Sequence, residues 1–162
     1  HLPEAALDRF MLSIHIDYPE TQDEVAVVRE TTGNAVPEIE PVISGEELQS
    51  IQHLVRNIPV AEEVMEYAVR LAAGSRPNSE HAIEATKEFV RWGAGPRASQ
   101  YLVLGAKARA AIEGAPCADF AGVRSVARQV LEHRVLTNFK ARSQSVSEME
   151  IIDQLIENTR ER

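Results

Sequence analysis

The chain has 162 residues, of which 44% are hydrophobic and 26% charged, a composition typical of one globular domain with a core. Its formal net charge of −8 argues against broad nucleic-acid binding, which needs a basic face. The single cysteine, Cys117, excludes an internal disulfide and fits a reducing compartment, and no apolar run of about 18 residues is present to span a membrane. We therefore expect a cytoplasmic protein that binds neither nucleic acid nor membrane.

The first regular pattern is an alternation of apolar and other residues over positions 10–16. One face would carry Phe10, Leu12, Ile14 and Ile16, which is typical of a half-buried strand. Little else in the sequence is strand-like, and a single strand leaves its backbone groups without partners. We therefore expect the partner strands to lie upstream, so that residues 1–18 end a sheet-containing domain and residues 19–162 form a separate helical one.

From residue 21 onward the patterns indicate helices. Capping boxes are predicted at Thr21-x-x-Glu24, Ser44-x-x-Glu47 and Ser147-x-x-Glu150. Apolar spacing predicts further helices over residues 61–73, 80–92, 97–112 and 119–132. The predicted fold is mainly α, a bundle of five or six helices preceded by one strand.

Residues 92–99, Trp-Gly-Ala-Gly-Pro-Arg-Ala-Ser, place an arginine at an unusual position. The glycines indicate a turn, Pro96 fits the first helical position, and Arg97 falls in the first turn of an apolar helix. A cation at a helix N-terminus is unfavourable by a few tenths to about 1 kcal/mol. Arg97 is therefore either solvated or paired with a negative group, and a bound phosphate would suit both the arginine and the helix end.

Three segments in order carry a resemblance to a known family. They are LPEAALDRF at 2–10, WGAGPRAS at 92–99 and VLEHRVL at 130–136. Together they resemble the C-terminal part of MoxR-type AAA+ ATPases, over essentially the whole chain but only about the last half of the family's sequence. The resemblance implies that residues 1–18 end an αβα nucleotide-binding core and that residues 19–162 form a helical lid.

The resemblance also implies functional residues and partners. Arg9 would be a catalytic arginine finger that acts in trans on a neighbour's γ-phosphate. Arg97 would be the sensor-two residue on the phosphate of its own subunit, with Gly95 and Pro96 shaping the nucleotide-facing turn. The full-length parent would use ATP and Mg²⁺, form a ring, usually a hexamer, and drive chaperone-like remodelling or maturation of partners such as von Willebrand factor A domain proteins.

The sequence departs from that family at the groups that bind most of the nucleotide. It contains no G-x-x-x-x-G-K-[ST] phosphate loop and no strand that ends in paired acids for Mg²⁺. We therefore expect that this chain alone neither hydrolyses ATP nor holds a cofactor or a metal.

Plainer interpretations of the same residues remain open. Arg9 would form an exposed ion pair with Asp8, and Arg97 would be a solvated first-turn arginine. The pair His133-Arg134 is interpreted as structural, because a cation is favoured at the end of a helix. The whole chain would then be a stand-alone acidic helical interaction module without a nucleotide role.

Overall fold

A computed structural model describes residues 3–33 and 39–161, and within these ranges the regular structure is mostly helical. The elements in chain order are α1 (Glu4–Leu7), α2 (Thr21–Thr31), α3 (Gly45–Asn57), α4 (Glu62–Gly74), α5 (Glu84–Phe89), β1 (Val90–Trp92), α6 (Pro96–Glu113), α7 (Phe120–Leu131), β2 (Leu136–Thr137), α8 (Phe139–Ser143) and α9 (Glu148–Asn158). The prediction of a mainly α fold is confirmed. In the described ranges, no helix combines the length and apolar character that crossing a bilayer requires.

The core lies between α4, α6, α7 and α9. Large fully buried side chains come from all four helices: Tyr67, Leu71, Leu102, Val123, Val130, Leu131, Ile151, Ile152 and Leu155. The buried positions of α6 are instead mostly small, namely Ala98, Gly105, Ala106 and Ala110. A Cβ atom at Gly105 would lie 2.9 Å from Cγ2 of Val126, so α6 and α7 pack at close range. Helix α6 is thereby the central helix, in contact with both α4 and α7.

Helices α2 and α3 lie outside this core, and neither contains a buried residue. Helix α3 rests against α6, where Lys107 Nζ donates to the carbonyl of Arg56 at 3.0 Å. Both helices leave large apolar side chains exposed: Val25, Val27, Val28, Leu48, Ile51 and Leu54. The first third of the chain therefore contributes little to the buried core.

The strand predicted over residues 10–16 does not form in this chain. Residues 12–20 have neither helical nor strand structure, and the apolar face expected to be buried is exposed, with Ile14 72% and Ile16 87% accessible. One bond, from the amide of Ser13 to the carbonyl of Gln129 at 2.8 Å, fixes the segment to α7. A strand needs a ladder, and no other described segment supplies one here.

Helix starts were predicted with mixed success. Ser44 and Ser147 each form the expected capping box, with both reciprocal hydrogen bonds present. The box at Thr21 is wrong, because the helix begins at Thr21 itself and the N-cap Glu20 makes no side-chain cap bond. A side chain already inside the first turn cannot receive the amide hydrogens that a cap accepts.

The predicted helix over residues 80–92 is also wrong at both ends, because α5 covers only Glu84–Phe89. Helix α5 stops at Phe89, and β1 then pairs antiparallel with β2, matching Val90 to Thr137 and Trp92 to Leu136. The β-branched Val90, buried where it pairs, favours the ladder over another helical turn. This short sheet fixes the point from which the chain turns into α6.

A close backbone approach holds the glycine turn between β1 and α6. The hydroxyl of Ser75 accepts from the amide of Ala94 at 2.9 Å, and Arg76 Nε donates to the carbonyl of Ala94 at 2.7 Å. A Cβ atom at Gly93 would lie 2.2 Å from the carbonyl oxygen of Ser75. Only glycine fits there without displacing backbone, so the direction in which α6 begins is tightly set.

Candidate functional site: a charged cluster at the start of α6

Arg97 lies in the first turn of α6, as the sequence predicts. Gly95 is the N-cap in an extended conformation, Pro96 is the first helical residue, and the amide of Ala98 donates to the carbonyl of Gly95 at 3.0 Å. No side chain caps this helix end. The side chain of Arg97 is 44% exposed, so its guanidinium is open to solvent on one side.

The negative group expected beside Arg97 is the carboxylate of Asp8, directly after α1. Arg97 Nη1 donates to Asp8 Oδ2 at 2.7 Å. An anion near the N-terminus of α6 offsets the unfavourable position of the arginine. Arg97 is therefore neither simply solvated nor placed without a partner, and Asp8 pairs with it rather than with Arg9.

The second partner of Asp8 is Arg134, whose side chain is only 1% exposed. Arg134 Nε donates to Asp8 Oδ1 at 3.0 Å, and Nη2 donates to the carbonyls of Asp8 and Phe10 at 2.8 and 2.5 Å. Its Nη1 donates to the carbonyl of Met11 at 3.3 Å and to that of Val130. The five N–H groups of the buried guanidinium thus all have acceptors, which is the condition for burying such a charge.

Two neighbours complete the cluster. The Tyr101 hydroxyl donates to the carbonyl of Arg9 at 3.2 Å, and the guanidinium of Arg134 lies 5.2 Å from the centre of the Tyr101 ring. His133 Nε2 is 3.1 Å from the carbonyl of Phe10. Residues 8–11 are therefore held mainly through their backbone carbonyls, by Tyr101 of α6 and by His133 and Arg134, which follow α7.

Burial and neighbouring charges shift the pKa values of three groups in this cluster. Burial alone would raise the pKa of Asp8, but the hydrogen bonds from Arg97 and Arg134 outweigh it and hold that pKa below its usual value. Burial lowers the pKa of Arg134, against the opposing effect of Asp8, and the guanidinium still stays charged at neutral pH. Burial also lowers the pKa of His133, which favours its neutral form.

The side chain of Arg9 is exposed, in contrast to its neighbours. Its guanidinium has no hydrogen-bond or ion-pair partner among the residues that the structure describes. The backbone on both sides of it is fixed by Arg134, so Arg9 is presented outward from a firmly held segment.

The structure thus brings together Asp8, Arg97 and the turn at Gly95 and Pro96, with the backbone of Arg9 alongside. Sequence reasoning missed Arg134 as the organiser of the cluster, although its interpretation as structural agrees with its bond to the last turn of α7. The available signal was an arginine close to the apolar pairs Val130-Leu131 and Val135-Leu136, where a charge that becomes buried needs several partners.

Comparison with known proteins gives consistent matches. The family described as AAA lid domain matches residues 82–155. Chaperone MoxR1 of Mycobacterium tuberculosis is 27% identical over 156 residues, which are 96% of this chain and 41% of that protein. The uncharacterized protein YeaC of Bacillus subtilis is 25% identical over 156 residues, 96% of this chain and 46% of that protein.

A solved structure also resembles this chain. The crystal structure of a candidate ATPase from Cytophaga hutchinsonii matches with a TM-score of 0.89 at 26% identity, over 99% of this chain and 49% of that one. The chain therefore spans less than half the length of each of these relatives.

Proposed function

Because the chain carries an AAA lid domain and is a distant homologue of the chaperone MoxR1 over the C-terminal part of that protein, we propose that it closes the nucleotide site of a MoxR-like AAA+ ATPase. ATP would bind between an upstream core and this lid. Hydrolysis would then drive chaperone-like remodelling or maturation of other proteins. The observation that carries the proposal is the position of Arg97, half-exposed at the uncapped N-terminus of α6.

Arg97 is suited to bind a phosphate of the nucleotide in its own subunit. A guanidinium stays charged and donates two parallel hydrogen bonds from a planar fork, which matches a phosphate. The N-terminus of α6 adds a partial positive charge at the same point. The phosphate loop and the Mg²⁺ ligands would come from the upstream core, because the sequence contains no G-x-x-x-x-G-K-[ST] motif.

Arg9 is suited to act on a neighbouring subunit. Its side chain is exposed while its backbone is held on both sides. Phosphoryl transfer depends mainly on positioning and on stabilising negative charge, and an arginine supplied in trans contributes about 10³ to 10⁵ in rate. Such an arrangement requires a closed ring of subunits, for which a hexamer is the expected form.

The lid would couple phosphate binding to motion. While a γ-phosphate is present, Arg97 would bind it, and its loss on hydrolysis would free Arg97 and let the lid rotate about the contact that Arg134 keeps with the backbone of residues 8–11. That rotation would be the mechanical output applied to a partner protein. Partners with von Willebrand factor A domains and a cytoplasmic setting belong to the same proposal, since they rest on the family resemblance alone.

The test uses the longer protein that contains this chain, assayed for ATP turnover. We expect Arg97→Ala and Arg9→Ala each to abolish turnover, while Arg142→Ala, an exposed arginine of α8 outside the cluster, leaves it unchanged. Turnover of Arg9→Ala rings should return on mixing with subunits that keep Arg9 but have an inactivated phosphate loop. Normal turnover in both single variants would refute the proposal, and failure of the mixing experiment would refute the role of Arg9 in trans.

A further inference from the structure

We propose that Arg97 pairs with Asp8 when no nucleotide is bound and leaves Asp8 to bind a nucleotide phosphate. Arg134 is then a positioning residue, which keeps the backbone around Arg9 in place while Arg97 changes partner. This inference rests on the proposed function, because it assigns the exchange to the same nucleotide site. The ion pair between Arg97 and Asp8 would open in each cycle of ATP hydrolysis, and the ion pair between Arg134 and Asp8 would stay closed.

The two oxygens of Asp8 are used by different arginines. Oδ2 accepts from Arg97 at 2.7 Å, and Oδ1 accepts from Arg134 at 3.0 Å. Arg97 can therefore leave without breaking the bond to Arg134. The carboxylate that loses Arg97 still has a cationic partner and is about a third exposed, so it is not left as an isolated buried charge.

The two arginines differ in how firmly they are held. Arg97 is 44% exposed and reaches Asp8 through one nitrogen, and such exposed pairs favour the closed state by no more than about five-fold. A phosphate offers more charge and accepts both arms of the guanidinium, so it outcompetes the single carboxylate oxygen. Arg134 is buried with all five N–H groups bonded, and no phosphate could replace its set of backbone carbonyls.

Because only Arg97 changes partner, the subunit's contact with its own nucleotide is separate from the position of Arg9, which acts on the neighbour's nucleotide. Arg134 binds the carbonyls of Asp8 and Phe10, which flank Arg9 directly in the chain. The backbone of Arg9 therefore keeps its position whether Arg97 contacts Asp8 or a phosphate. Changes at Asp8 should alter how the subunit binds its own nucleotide, and changes at Arg134 should alter catalysis at the neighbour.

The first test is Asp8→Asn in the longer protein. Asparagine keeps an Oδ1 acceptor for Arg134 but removes the charge that competes with phosphate for Arg97. We expect the KM for ATP to fall by up to about five-fold, with kcat within two-fold of the wild type. The matched control is Asp153→Asn, which removes the surface partner of Arg128 and should change neither constant. An unchanged or raised KM in Asp8→Asn would overturn the role of Asp8.

The second test places Arg134→Lys in mixed rings. One subunit type carries Arg9→Ala with an intact nucleotide site, and the other has an inactivated phosphate loop but supplies Arg9, so turnover requires the finger in trans. Arg134→Lys on the subunit that supplies Arg9 should reduce kcat at least ten-fold, and on the other subunit less than two-fold. Equal losses in the two positions would overturn the positioning role.

The outcomes distinguish this inference from the proposed function. If Arg9→Ala and Arg97→Ala leave turnover intact, the proposed function itself fails. If both abolish turnover while the Asp8 and Arg134 variants behave like wild type, only the present inference fails. Circular dichroism of each variant establishes that it is folded. If Arg134→Lys does not fold, Arg134→Met replaces it in the mixed rings, with the same expected asymmetry between the two subunit types.

Discussion

Replacing Arg134 with methionine should release residues 8–13 from the helical core without unfolding that core. Arg134 makes four hydrogen bonds to this segment, one to the carboxylate of Asp8 and three to backbone carbonyls. At a net value of about 1 kcal/mol each, their sum is about 4 kcal/mol. Packing of the methionine against Tyr101 recovers part of this, so we expect the free energy of segment opening to fall by about 3 kcal/mol.

Amide hydrogen exchange of the 162-residue chain measures this opening directly. The amide of Ser13 donates to the carbonyl of Gln129, so its protection reports whether the segment is docked on α7. About 3 kcal/mol corresponds to a roughly 150-fold loss of protection at Ser13. Amides of the buried helix α4 should keep theirs, and Arg128→Met, which removes an exposed ion pair of the same helix α7, should leave Ser13 unchanged. Unaltered protection at Ser13, or an equal loss throughout α4, would refute the reasoning.

Two further predictions concern the turn and the cluster. Gly93→Ala should destabilise the chain by about 3 kcal/mol, because its Cβ would collide with the backbone of Ser75. Gly95→Ala has open space around its Cβ and should cost about 1 kcal/mol or less, because alanine is a poorer N-cap than glycine. Urea midpoints compare the two variants, and equal midpoints would contradict the packing argument. Stability should also depend on His133, whose folded pKa is lowered by burial. Between the folded pKa of His133 and its unfolded pKa near 6.5, the unfolded chain binds more protons than the folded chain. Stability is therefore full above about pH 6.5 and falls as the pH falls through the folded pKa. His133→Asn should flatten this part of the pH profile, and an unchanged slope would show that another group is responsible.

The helical part of the fold could be predicted because its signals are local. The capping boxes at Ser44 and Ser147 are each complete within four residues, and the apolar spacing of α4, α6 and α7 follows one turn of helix to the next. The position of Arg97 was predictable for the same reason, since the glycines and Pro96 precede it directly. In such cases the residues that decide the structure are neighbours in the sequence.

The sequence predictions fail where the structure of a segment depends on residues far away in the sequence. The apolar alternation of residues 10–16 fits a strand, but a strand forms only when another provides its ladder, and no described segment does so. Helix α5 gives way to β1 because residues near 136 pair with it, more than forty positions later. Arg134 and Asp8 are 126 residues apart, so their contact cannot be read from periodicity. From the sequence Arg97 was either solvated or paired with a negative group such as phosphate, and only the fold shows that Asp8, 89 residues away, is its partner.

The small side chains of α6 give this helix a mechanical property. Its 18 residues extend about 27 Å, and it is packed between α4 and α7 mainly through alanine and glycine, which have no side-chain rotamers with which to absorb a displacement. A tilt of about 10° at the end that carries Arg97 would therefore move the far end by about 5 Å as a stiff lever. A force applied at Arg97 would in this way reach the other end of α6, at Glu113.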